Sequence, residues 1–130
     1  MPTTNFPEYA KKKIKNVLDT LIVTGEAALV NIQIDQRSAL RGFIAGVLQF
    51  EDDSELHFRE FIDTSSMSSK LMYANHYQDK SKTLIFRYDN AAHRPKLTQM
   101  DHKHTSAGVE ISSAPSLAQV VDEILKPVRS

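Results

Sequence analysis

Residues 55–63, ELHFREFID, alternate between two sides with a period of two: Leu56, Phe58, Glu60 and Ile62 point one way, His57, Arg59 and Phe61 the other. A helical period would scatter both sets around a cylinder, so the stretch reads as a strand with one covered face. Polar turn formers bracket it, EDDS at residues 51–54 and TSSMSS at residues 64–69. The same organisation recurs on both sides. Residues 28–35, ALVNIQID, alternate as a first strand. Residues 40–50, LRGFIAGVLQF, are apolar on nearly both sides and read as an interior strand, in which Gly42 and Gly46 mark bulges or the close approach of a neighbour. Downstream, residues 70–79 put Leu71, Tyr73 and Tyr77 on one face and Met72, Ala74 and His76 on the other. After DKSK, residues 83–90 set Leu84, Phe86 and Tyr88 against Ile85, Arg87 and Asp89. Strands joined by turns this short pair antiparallel, which predicts a meander of about five strands.

Helical spacing appears only at the ends. Pro7 suits a first turn, Tyr9, Ile14, Val17, Leu18, Leu21 and Ile22 form a stripe, and Gly25 is a stop, which predicts a helix over residues 7–24. Pro115 and Ser116 open a second helix carrying Leu117, Val120, Val121, Ile124 and Leu125, with Pro127 ending it. The expected class is α+β, an antiparallel meander with an N-terminal and a C-terminal helix, in a single domain over residues 1–130. GVEIS, in the otherwise irregular stretch before the second helix, fits a brief strand.

Composition removes several classes of function. No run approaches the roughly 18 apolar residues of a membrane helix, and the N-terminus lacks the apolar core of a signal peptide, so a cytoplasmic protein with no membrane partner is expected. The absence of cysteine excludes disulfides and thiolate metal sites. Sixteen basic and sixteen acidic residues cancel, so a nucleic acid would have to be held by a local patch. Lys11, Lys12, Lys13 and Lys15 read as the solvated face of the first helix.

The residues suited to chemistry concentrate at residues 86–104, FRYDNAAHRPKLTQMDHKH, which hold three of the five histidines, two arginines and two aspartates. A strand ending in a histidine-rich loop sets reactive groups on a rigid edge. Counting through the two central turns places His57 opposite His76, Ala74 opposite Arg87 and Met72 opposite Asp89, with Arg59 on the same surface. A histidine pair beside arginine suits phosphodiester cleavage without metal: one imidazole takes a proton, another donates one, and arginine offsets the phosphate charge. Asp89 would orient a histidine or Arg87. The bland counterpart is a solvated polar sheet face with Arg87 and Asp89 weakly paired at its edge. A third reading gathers Asp89, His93, His102 and His104 around a divalent ion, since the HxH spacing puts both rings on one side of a strand. Lys103, between them, points the other way and suits a phosphate contact.

The succession FEDDSELHFREFID, YANHYQDKSKTLIFRYDNAAHRP, HKH and a closing PSLAQVVDEIL helix, over residues 40–126, resembles the TumE family of toxin components from bacterial and archaeal toxin–antitoxin pairs. The family motif runs close to HYQ, FRYDNAPHHP and HKH, so His76, Tyr77, Arg87, Tyr88, Asp89, Asn90, Ala91, His93, Pro95, His102, Lys103 and His104 match. Ala92 stands where the motif has a proline, and Arg94 where it has a second histidine. The resemblance implies a toxin neutralised by a cognate helix-turn-helix antitoxin. By analogy with other small toxins, RNA is the expected substrate. In that reading His76, Arg87, Asp89, His93, His102 and His104 are the catalytic candidates, and Arg59, Arg94 and Lys103 the nucleic-acid contacts. No cofactor is required. The alternatives are a binding module that cleaves nothing and a metal-dependent nuclease using the histidine-rich loop. An edge strand also leaves room for a homodimer.

Overall fold

The computed structural model describes residues 5–65, 70–90 and 101–126. Among these residues seven strands form one sheet in sequential order, each antiparallel to the next. They are β1 (Ala27–Gln36), β2 (Arg41–Phe50), β3 (Glu55–Asp63), β4 (Lys70–Gln78), β5 (Leu84–Asp89), β6 (His102–Thr105) and β7 (Gly108–Ile111). The five alternating segments of the sequence are β1 to β5. The two further strands come from HKHT and GVEI, too short to carry a period of their own.

The helices lie on one face of this sheet. The N-terminal one starts with an α-helical turn, Phe6–Tyr9, capped by Asn5, whose Oδ1 accepts from the Glu8 N–H at 2.8 Å. It continues through a π-helical stretch, Ala10–Lys15, into an α-helix, Asn16–Thr24. The π stretch has a reason in the sequence. Tyr9 and Ile14 are five residues apart, more than an α turn, and a π turn brings both onto the buried side with Leu18 and Leu21. Ile22, predicted in the stripe, is 45% exposed because Leu21 already holds the contact. Gly25 ends the helix at φ 76°, a left-handed conformation natural to glycine, while the Glu26 N–H reaches back to the Leu21 carbonyl at 3.0 Å. All four lysines of residues 11–15 are exposed. The C-terminal helix, Leu117–Leu125, opens with Ser116 and Gln119 in a reciprocal capping box. Pro127 lies outside the described residues. Among the described residues, no helix is long and apolar enough to cross a membrane.

Between helices and sheet sits the core. Ile14, Ile44, Leu48, Leu56, Ile62 and Val120 are fully buried there, each stabilising the fold by about 1.5–3 kcal/mol relative to exposure. Gly42 and Gly46 prove to be close approaches. A Cβ on Gly42 would lie 2.3 Å from the Phe6 ring, and one on Gly46 would lie 2.6 Å from the Phe58 ring.

Register decides what meets on the opposite, open face. His57 pairs with His76 as counted. Arg87 pairs with His76 and Asp89 with Ala74, two residues away from the predicted Ala74 and Met72. The β4–β5 turn is one residue longer than DKSK, with the Asp79 N–H bonded to the Thr83 carbonyl, and a bulge between Tyr77 and Gln78 adds the second step. Two steps preserve side-chain parity, so Arg87 and Asp89 keep their predicted face beside His76.

Candidate functional site

Because strand neighbours stack in register, the open face carries two parallel rows of side chains. The first runs His57, His76, Arg87, His104 across β3, β4, β5 and β6. The second runs Arg59, Ala74, Asp89, His102 across the same strands. Six of the nine residues singled out from the sequence, His76, Arg87, Asp89, His102, His104 and Arg59, therefore share one surface. His93 and Arg94 lie outside the described residues. Lys103 departs from the group. It stands on the helix-covered face, 2.7 Å from the Glu123 carboxylate of the C-terminal helix, with its ammonium over the Phe86 and Tyr88 rings. Alternation along β6 dictates this: if His102 and His104 face outward, Lys103 faces the helices.

Arg87 is the hub of the rows. Its Nε donates to Asp89 Oδ2 at 2.8 Å, which fixes the guanidinium plane, and its Nη1 lies 3.4 Å from His76 Nδ1. His76 Nε2 is 3.1 Å from Gln78 Oε1. With Nε2–H donating to that oxygen, Nδ1 carries the lone pair, aimed beside the Arg87 Nη1. On the far side, His104 Nε2 approaches Asp89 Oδ1 at 3.5 Å, and the His102 and His104 rings are 6.2 Å apart. At the near end the His57 ring stands edge-on to His76 at 6.4 Å, and its Nε2 meets Glu55 Oε1 at 2.9 Å.

The electrostatics divide the two ends. Burial, with the Arg87 charge and His57 adding to it, holds the His76 imidazole below the ordinary histidine value, against an opposing hydrogen bond from Gln78. His76 is therefore neutral at pH 7, the form that accepts a proton. Burial acts to raise the Asp89 carboxyl, but the Arg87 hydrogen bond and the positive charge of His104 outweigh it and leave Asp89 below the usual carboxylate range. Asp89 stays ionised and buttresses Arg87 from within the sheet.

Beside this hub the face hollows into an open concavity of about 460 Å³. His57, Arg59, His76 and Arg87 edge it, Ala45, Gly46 and Ala74 give it a low floor, and Asn31, Gln33 and Gln78 contribute carboxamides. Sequence reading overlooked Asn31 and Gln33, whose only signal was alternation with Ile32 and Ile34 in β1. A bulge in β1 between Leu29 and Asn31 turns both amides onto the open face.

Among the described residues no group of three or more histidines and carboxylates is placed to hold a metal ion. Neither a curated protein nor a solved structure matches the chain. A family model does, that of toxin TumE, over residues 18–130, and it spans the sheet, both histidine rows and the C-terminal helix. The chain belongs to the TumE toxin family.

Proposed function

We propose that the protein is a toxin that cleaves RNA without metal, using His76 as general base, His104 as general acid and Arg87 to hold the scissile phosphate. The observation that carries this is the row His76, Arg87, His104. Adjacent strands lie about 4.8 Å apart, so the two histidine backbones are roughly 10 Å apart with the guanidinium between them. That spacing admits one phosphodiester, with a proton acceptor on one side of phosphorus and a donor on the other, as in-line displacement requires.

In the reaction the ribose 2′-oxygen forms a bond to phosphorus as His76 Nδ1 takes its proton. The bond from phosphorus to the 5′-oxygen breaks, and His104 protonates that oxygen. The products are a 2′,3′-cyclic phosphate and a 5′-hydroxyl. Arg87, with its Nε tied to Asp89, offers its Nη groups to the charge that builds on the equatorial oxygens, and Arg59 adds a second cation. Each proton transfer and the charge stabilisation have a protein side chain, so the scheme calls for no metal. His102, next to Asp89 in the second row, supports the acid end, and His93 and Arg94 remain candidates for substrate contacts. A toxin family implies an antitoxin partner. The cognate helix-turn-helix protein suggested by the sequence would neutralise the toxin in the cytoplasm by covering this face.

The test is to incubate purified, chelator-treated protein with total cellular RNA, with and without added divalent ions, and to map the new ends. Cleavage without metal that leaves cyclic phosphates is expected. Strict metal dependence would move His93, His102 and His104 into a metal shell and sink the acid–base scheme.

One observation favours a second reading, a module that binds a macromolecule and cleaves nothing. Met72, Ile85, Val109 and Ile111 surround the rows on the open face at 41–70% exposure, more apolar surface than a phosphate site uses. Loss of toxicity on substituting His76, with no RNA cleavage by the parent protein, would select it.

A further inference from the structure

We infer that the concavity beside Arg87 is a base-reading pocket that makes the enzyme selective for the nucleotide on the 5′ side of the cleaved bond, with Asn31 and Gln33 as the specificity-determining residues. The inference rests on the ribonuclease reading and goes beyond it by naming what the rest of the open face binds.

Three observations carry it. The first is size and continuity: about 460 Å³ falls within the roughly 300–1,000 Å³ of small-molecule sites, and the hollow is continuous with His76 and Arg87. The second is its floor. Ala45 and Ala74 rise only a methyl group from the sheet on this face, so a flat ring can lie close to the backbone.

The third is the change of chemistry across the pocket. The β5 end is cationic and suits phosphate. The β1 end presents neutral carboxamides from Asn31 and Gln33, each with a donor and an acceptor. Paired donors and acceptors match the edge of a nucleobase and give nothing to a second phosphate, which would seek another cation. The pocket follows one row of strand partners from Asn31 through Val47, His57 and His76 to Arg87, four steps or roughly 19 Å between backbones, which the Arg87 side chain reaching toward His76 and one nucleotide laid from phosphate to base span together. Both amides are solvent-exposed on a rigid strand, which leaves them available to a ligand.

The ligand class is therefore a single-stranded ribonucleotide bearing a 3′-phosphate, its base unstacked from its neighbours and laid against the β2 floor.

The experiment measures binding of the four nucleoside 3′-monophosphates and of ribose 3-phosphate, which lacks a base, to the full chain by calorimetry. It is repeated with the double variant Asn31→Ala, Gln33→Ala. At least one nucleotide should bind about tenfold tighter than the others and than ribose 3-phosphate, the low end of what a bidentate base contact discriminates. The double variant should lose that preference while binding ribose 3-phosphate as the parent does. Equal binding of all five ligands, or a base preference that survives the double substitution, overturns the base pocket and leaves the phosphate site standing. No binding of any of the five overturns both readings. Selective binding by a protein that does not cleave RNA overturns the catalytic scheme alone.

Discussion

The two faces of this sheet carry similar charged networks to different ends. On the helix-covered face, Glu60 is 1% exposed. It accepts the Tyr9 hydroxyl at 2.6 Å and meets Lys70 at 3.3 Å. The Tyr88 hydroxyl and Lys103 both bind Glu123. There the helices are themselves the partners, and the charges fasten them to the sheet. On the open face His76, Arg87, Asp89 and His104 are just as connected, but Arg87 and His76 also line a cavity. A network closed by the fold's own elements holds structure, whereas one that opens onto a cavity has capacity left for a ligand. The contrast also explains the pKa directions. Burial and the Glu60 carboxylate raise Tyr9 far above its ordinary range and keep it a permanent donor, while the open face holds a neutral histidine beside a cation.

The largest effect that would test this contrast is loss of the proposed general base. His76→Gln keeps a polar side chain on β4 and should lower RNA cleavage by about 10²–10⁴-fold, with the melting temperature nearly unchanged. Rates under single-turnover conditions, beside a melting curve, check it. A fall in stability matching the fall in rate would make the open face structural as well.

The mirror experiment is Glu60→Ala. Removing a buried carboxylate from its partners typically costs about 3–5 kcal/mol. The lower end, about 3 kcal/mol, is expected here because Lys70 keeps the Pro115 carbonyl and is itself 13% exposed. Denaturant unfolding measures the loss. The rate per folded molecule should stay within about threefold of the parent, because Glu60 points away from the rows across the sheet.

The pH dependence separates the faces again. His76 is held below the histidine reference of 6.5, so it remains a base where an ordinary imidazole is half protonated. The acid limb of the cleavage profile should therefore have its midpoint below 6.5. A midpoint at or above that value would disqualify His76. Stability follows the same sign. A depressed histidine contributes above the unfolded value of about 6.5 and loses its contribution as pH falls through the folded value. Asp89, also depressed, loses its own at lower pH, on passing below the unfolded carboxylate value.

How much of this was legible in the sequence follows from the range of the interactions involved. Alternation is local, so β1 to β5 and the faces of the residues in β3 could be read directly, whereas bulges change sides within β1 beside Leu29 and within β4 at Leu71, which was predicted to share the Tyr73 face and is 45% exposed. Both caps, Ser116 and Gly25, were legible for the same reason. The β4–β5 register was not, because a bulge at Tyr77 and Gln78 and a five-residue turn are set by packing of Phe86 and Tyr77 in the core. The π stretch was hidden because the Tyr9 to Ile14 spacing looks like a broken α stripe until the sheet beneath it is known. Strand β7 was legible as the brief strand at GVEIS, whereas its partner β6 was missed because four residues cannot display a period. For the site, the motif supplied the residue types. It could not show that β1 brings Asn31 and Gln33 to the same hollow, since twenty-six residues separate Asn31 from His57.

The smallest expected effect tests the contrast at one residue. Lys103 sits between His102 and His104 in sequence and was a natural phosphate contact, yet the pleat sends it to the other face and into an ion pair with Glu123. There the ammonium also lies about 5 Å above the Phe86 and Tyr88 rings, and Glu123 acts to raise its pKa, against the opposing effect of burial. Lys103→Met keeps the aliphatic stem against those rings and removes only the charge. The pair is partly exposed, at 20% and 35%, so its loss should cost no more than about 1 kcal/mol. RNA affinity and cleavage should be unchanged, because the charge lies across the sheet from Arg87. A tenfold loss of affinity with intact stability would mean that the substrate reaches around the β6 edge, and the division between a structural and a ligand-binding face would fail at that edge.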